Sequence, residues 1–191
     1  NPATPTLVFC GSLCDVFEDR ADLEAPRRML GTLIEQTPNL LWLLLTKRPE
    51  NAERMRREMW GLYNDWPENV WLGCTAENQE TWHRRIPHLL SVPAAGRFVS
   101  CEPLLGHIEI ASFREHKHTL DWVIAGGESG PHARETTSFW FEEICDSCRA
   151  WRIPFFFKQH GAAFSKRLKA AGDSFSSVKQ FPAAFGIKEQ A

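Results

Sequence analysis

Long apolar runs are scarce in this sequence, and none approaches the roughly 18 residues of a membrane-spanning helix, so the chain is expected to work in water. Charge of one sign is lacking too. Lys and Arg number 22 against 24 Asp and Glu, a net charge of −2, so no global field draws in nucleic acid or an anionic membrane, and any basic surface must be local. No Walker-type loop, H-E-x-x-H, G-x-S-x-G or G-x-G-x-x-G occurs, which removes support for four common enzyme classes. The cysteines at positions 10, 14, 74, 101, 145 and 148 lack zinc-like spacing, and residues 1–9 do not read as a secretory signal. They read as reduced thiols of a cytoplasmic protein, with no metal assigned to them. The chain also opens "NPATPT" with no Met, from which a natural start further upstream is expected.

What the 191 residues do contain is a series of short apolar runs: "TLVFCG" from 6, "LLWLLLT" from 40, "VWLGCT" from 70, "RFVSCE" from 97, "DWVIAG" from 121 and "PFFFKQ" from 154. Continuous apolarity over five or six residues marks strands buried on both faces, as parallel strands are. Their starts lie 24 to 34 residues apart, the length of a strand plus a crossover helix. The intervening stretches carry helical stripes: Met29, Leu30, Leu33 and Ile34; Ala52, Met55, Met59, Leu62 and Tyr63, with Pro49 in the first turn; Trp82, Ile86, Leu89 and Leu90, where Pro87 should kink or shorten the helix; and Phe141, Ile144, Cys145 and Cys148. Residues 105–118 show no stripe and predict a loop or short irregular helix, and 162–191 read as a less regular tail of the same single domain. The fold class is therefore α/β with a parallel sheet of about six strand-helix units, as a partial barrel or an open doubly wound sheet.

Each apolar run breaks into polar residues at its carboxyl end, where parallel α/β folds place their ligands. These ends read Ser12 and Asp15; Thr46, Lys47 and Arg48; Thr75 and Glu77; Ser100, Cys101 and Glu102; Gly126, Gly127, Glu128 and Ser129; and Lys158 and Gln159. Lys47 and Arg48 suit an anionic group, or else ion pairs with Glu77 or Glu102 across the rim. Glu102 follows a buried strand directly, where an acid is costly unless paired or in use. The glycines at 126 and 127 either let a ligand approach the backbone or make a tight turn. Glu128 then accepts from an amine or a sugar hydroxyl, or is merely solvated. Asp15 fits a ligand or a helix N-cap. Cys145 and Cys148 form a C-x-x-C that falls on a helical stripe and reads as core, whereas His107, His116 and His118 read as exposed loop residues.

The motifs "GSLCDVFED" (11–19), "LLTKRPEN" (44–51), "NVWLGCTAENQE" (69–80), "RIPHLLSVPAAGRFVSCEPLLG" (85–106), "DWVIAGGESGPHAR" (121–134) and "PFFFKQHG" (154–161), in this order, resemble the phage gene product thirty-seven/sixty-eight family, a domain of unknown function. Its members usually begin with an upstream cysteine-rich motif similar to the cluster site of radical S-adenosylmethionine enzymes. The resemblance thus implies a partial TIM-like barrel with S-adenosylmethionine and a 4Fe–4S cluster, the cluster cysteines preceding Asn1. This chain would supply the cofactor and substrate rim, with Ser100, Glu102, Gly126, Gly127, Glu128 and Ser129 toward the cofactor. Asp15, Lys47, Arg48, Glu77, Lys158 and Gln159 would face the substrate, an unknown small molecule or macromolecule. Gly11 and Cys14 depart from the family pattern, which expects Asn and Ser there.

Two other readings stand beside this one. A cluster-free phage accessory protein would bind nucleic acid or another anionic partner through the cationic rim and the tryptophans at 42, 71 and 122, with strongly salt-dependent affinity. A degenerate barrel with a structural role alone would tolerate charge reversal at Glu102 and Glu128.

Overall fold

The computed structural model describes residues 5–11, 13–62, 64–110, 119–163 and 178–185. Six strands lie where the apolar runs predict them: β1 Thr6–Cys10, β2 Leu40–Thr46, β3 Val70–Thr75, β4 Gly96–Cys101, β5 Trp122–Gly126 and β6 Phe155–Gln159. Among the described residues four α-helices alternate with them: α1 Glu24–Gln36 and α2 Ala52–Trp60 before β3, then α3 Gln79–Ser91 and α4 Ser138–Trp151. Every strand pair is parallel, and the order in the sheet is the order in the chain. The sheet curls into a half-barrel, with β1 and β6 at its two edges. A doubly wound sheet is thereby excluded, since it must reverse its winding from a central strand.

Sequential winding puts these four helices on one face. Alternate strand residues divide accordingly. Leu44, Leu72, Val99, Val123 and Phe155 join Met55, Trp82, Ile86, Phe141 and Ile144 in the core between sheet and helices. The intervening residues Leu41, Leu43, Leu45, Trp71, Phe98, Trp122 and Ile124 form a second apolar cluster on the concave face. The lower part of that face is closed by the segment around Val178–Phe185. Its backbone pairs with the outer edge of β6 (Phe157 N–H to Val178 O, 2.7 Å; Gln180 N–H to Phe155 O, 2.9 Å), and Phe185 is driven fully into the concavity. The described part of the expected tail thus completes the inner core, while residues 164–177 and 186–191 lie outside the described residues. Of the stretch 105–118, residues 105–110 are irregular as expected, and 111–118 lie outside the described residues.

The helix stripes need three corrections. In α1 Met29 and Leu33 are exposed, and the buried face is Arg27, Gly31 and Ile34. Arg27 goes inside because its guanidinium finds the carbonyls of Val16 and Glu18 at 2.8 and 3.1 Å and the Glu58 carboxylate at 3.0 Å. Gly31 goes inside because α2 packs there so closely that a Cβ would sit 3.0 Å from the Met59 carbonyl, and Trp60 Nε1–H donates to the Gly31 carbonyl. Leu62 is exposed because α2 ends at Trp60, and Tyr63 lies outside the described residues. Pro87 does not end α3, which runs on to Ser91. A capping box starts that helix, with Thr81 N–H donating to Asn78 Oδ1 at 3.0 Å and Asn78 N–H to Thr81 Oγ1 at 3.1 Å. No helix among the described residues is long and apolar enough to cross a membrane.

Candidate functional site

Above the inner apolar cluster, the carboxyl ends of the strands surround a cleft of about 980 Å³, within the size range of small-molecule sites. Trp122, Ile124, Phe156 and Phe181 form its floor, and Phe9 and Leu45 one flank. Of the residues singled out from the sequence, Asp15, Lys47, Arg48, Ser100, Glu102, Gly127, Glu128, Ser129 and Lys158 line it. Glu77, Gly126 and Gln159 are not among its lining residues, and Ser12 lies outside the described residues.

The β1–β2 wall is organised around Asp15. One carboxylate oxygen accepts from the Phe17 N–H at 3.0 Å and the Thr46 hydroxyl at 2.7 Å; the other accepts from the Lys47 N–H at 3.0 Å and Arg48 Nη1 at 2.9 Å. Asp15 therefore does not cap the following helix. It fixes the turn that carries Lys47 and Arg48. Arg48 also meets Glu18 at 3.1 Å, so its partners are Asp15 and Glu18 rather than Glu77 or Glu102. Lys47 does reach Glu77, at 3.5 Å, although the closer cation there is Arg85 at 2.7 Å, which also donates to the Thr75 carbonyl. Burial would raise the pKa of Glu77, but the Arg85 charge, a backbone hydrogen bond and Lys47 outweigh it and keep the carboxylate ionised below its ordinary range.

On the opposite wall Lys158 of β6 spans to Glu102, just past β4, with its ammonium 2.8 and 3.0 Å from the two carboxylate oxygens. The backbone between them explains the two glycines after β5. Gly127 N–H donates to the Gln159 carbonyl at 2.8 Å, and a Cβ on Gly127 would lie 2.0 Å from the His160 carbonyl oxygen. The loops leaving β5 and β6 thus cross at Gly127, which serves the fold at that point. Gln159 turns its side-chain amide toward the Gly127 carbonyl at 3.4 Å.

Glu128 is held by Arg134, a partner that was missed in the sequence although "ESGPHAR" brackets a Gly-Pro turn able to bring the two together. Arg134 donates from its Nε, Nη2 and backbone N–H at 2.9, 2.7 and 2.8 Å. The guanidinium bonds first, and the backbone bond next, hold the Glu128 pKa down to about 2. A folded-state pKa below the unfolded value of about 4.3 means that the ionised group contributes stability above roughly pH 4.3 and loses it as the pH falls toward 2. Arg134→Ala is expected to move the Glu128 titration up toward the ordinary glutamate range in a carboxyl ¹³C NMR titration. An unchanged midpoint would show that the pair is not what holds it.

The remaining residues fall outside the cleft chemistry. Cys145 and Cys148 are buried on the inner face of α4, and Cys74 and Cys101 are buried behind β3 and β4, where burial pushes their thiols up. Cys14 is exposed at the cleft mouth. His107 is not a free loop residue, since its Nε2 lies 2.9 Å from Glu143; His116 and His118 lie outside the described residues. Trp42, Trp71 and Trp122 are all buried, Trp42 against the helices and the other two on the concave face, so they offer no exposed stacking surface at the rim.

Comparison with known proteins gives a family model that matches residues 1–181, described as "Protein of unknown function (DUF5131)". No curated protein and no solved structure matches the chain.

Proposed function

Because the chain belongs to that family, whose description assigns no activity, we propose its function from the site: the cleft binds S-adenosylmethionine beside a substrate, as the rim of a phage-associated radical S-adenosylmethionine enzyme. The observation that carries this reading is the pairing of Glu102 with Lys158 over an aromatic floor, on the concave face of a six-stranded parallel half-barrel. S-adenosylmethionine is a zwitterion at one end and a heteroaromatic ring at the other. Glu102 and Lys158 present both charge signs side by side, for the ammonium and the carboxylate of the amino-acid end. The half-buried rings of Phe156 and Phe181 give the ring an apolar surface, and Ser100 lines the same cleft.

These residues bind and orient, and the apolar floor keeps water from the reacting centre. In this enzyme class cofactor and cluster together supply hydrogen-atom abstraction. Among the described residues no group of three or more His, Cys, Asp or Glu side chains comes together to hold a metal, so no residue here is assigned to the cluster.

Equilibrium dialysis of the chain against tritiated S-adenosylmethionine tests the binding. Saturable uptake is expected, weakened about tenfold, or ~1.4 kcal/mol, by Lys158→Met. No uptake at about 1 mM ligand, the weak end of specific affinities, by protein whose circular dichroism shows it folded, would sink the reading.

A further inference from the structure

The charged pairs around the cleft mouth are not symmetric. In each, the acid lies low and the cation stands toward solvent: Lys47 is 57% exposed against 13% for Glu77, Lys158 53% against 22% for Glu102, and Arg134 60% against 26% for Glu128. The acids also spend their oxygens inward. Asp15 is saturated by four donors from its own fold, and Glu77 is taken first by Arg85. Lys47, by contrast, lies 3.5 Å from Glu77, well beyond the 2.7–2.9 Å of a formed charge-assisted hydrogen bond, so its ammonium retains donors for something else. The turn beneath it is already fixed by Asp15, which lowers the ordering cost of using it.

The same wall of the cleft carries an aromatic ring that the fold leaves half-exposed, on a residue whose partner in β2 is Leu43, four residues before Lys47. Phe9 of β1 is 42% exposed and lines the same cleft, with the Phe98 ring centroid 5.9 Å from its own. A half-exposed phenylalanine lining a cleft, on the same wall as a lysine with unspent donors, offers a stacking surface along one wall with a phosphate site.

Resting on the cofactor assignment above, which occupies the Glu102–Lys158 wall, we propose that the β1–β2 wall holds the substrate and that the substrate is a nucleotide. Its phosphate sits on Lys47 and Arg48, and its base lies against Phe9. A free nucleotide and a nucleotide within a single strand share this chemistry.

The test is a titration of the chain with thymidine 5′-monophosphate and with thymidine, whose pyrimidine is unlike the adenine of the cofactor, followed by ¹H saturation transfer. The monophosphate is expected to bind at least about tenfold more tightly than the nucleoside, with an affinity that falls as salt rises. Lys47→Met should remove that advantage while Lys47→Arg restores it, and Phe9→Ala should weaken both ligands about tenfold. Both sites are exposed, so folding is preserved and is checked by circular dichroism. A short oligothymidylate binding about tenfold more tightly than the monophosphate, with a steeper salt slope, identifies the source as a strand; equal affinity identifies it as the free nucleotide. Equal binding of monophosphate and nucleoside, or no binding of either to folded protein, overturns the proposal. Parallel dialysis with S-adenosylmethionine separates the two ideas, since cofactor uptake without nucleotide binding defeats this one alone, and the reverse defeats the cofactor assignment alone.

Discussion

Phe185→Ala is expected to destabilise the protein by about 3–5 kcal/mol, the range for truncating a fully buried phenylalanine. The ring has no exposed surface, and its centroid lies 4.6 Å from that of Trp71 and 5.3 Å, edge-on, from that of Trp122. Those two tryptophans stand on β3 and β5, so the ring ties non-adjacent strands together across the open concavity. Its removal also weakens the hold on the segment that brings it there, which is anchored as well by the Trp122 Nε1–H bond to the Gln180 carbonyl at 3.0 Å, the short ladder to β6 and the Phe181 ring against Trp122 and Phe156. Urea denaturation of the variant should show the loss, and amide exchange at 178–180 should accelerate more than exchange in β2 or β3. A loss under about 1 kcal/mol would mean that the concave face does not depend on this closure.

Gly127→Ala is expected to cost about 3 kcal/mol, at the upper end for an overpacked site, because the atoms its methyl would strike are backbone. The His160 carbonyl oxygen and carbon would lie 2.0 and 2.5 Å away and the Gly161 nitrogen 2.9 Å, so relief requires the β5 and β6 loops to separate. That separation breaks the Gly127 N–H bond to Gln159 and strains the Ala162 N–H bond to the Glu128 carbonyl, both 2.8 Å. Gly126→Ala is the control. Its nearest neighbour would be Lys158 Cβ at 3.3 Å, which can give by a few tenths of an ångström, so its thermal midpoint should stay near that of the unaltered protein. Similar midpoints for the two variants would show that the crossing of the loops is not tight.

The inner strands β2 to β5 were legible because burial on both faces leaves a local mark, a run of apolar residues that ends where the chain reaches solvent; the edge strands β1 and β6 carry the same apolar run although burial on both faces, expected of them too, does not hold there. The polar ends were legible for the same reason, and nine of the twelve residues drawn from them do line one cleft. The α1 stripe was misassigned because the burial of Arg27 depends on carbonyls of another loop, and that of Gly31 on the approach of another helix. No periodicity within α1 carries either fact. Likewise Asp15 looked like a cap from its neighbours, but its strongest claims come from Thr46 and Arg48, more than thirty residues away.

The sequence by itself determined the element types, their order and the side of the sheet on which polar residues gather, since propensity and apolar spacing act over a few residues. Tertiary structure alone decided that winding proceeds in one direction into a half-barrel, that Phe185 fills its concavity, and which cation meets which acid. Lys158 and Glu102 are 56 residues apart, and they pair because sequential winding places β6 one strand beyond β5 and curvature brings its end back toward that of β4. Such contacts depend on where strands lie in space, which short-range preferences leave open.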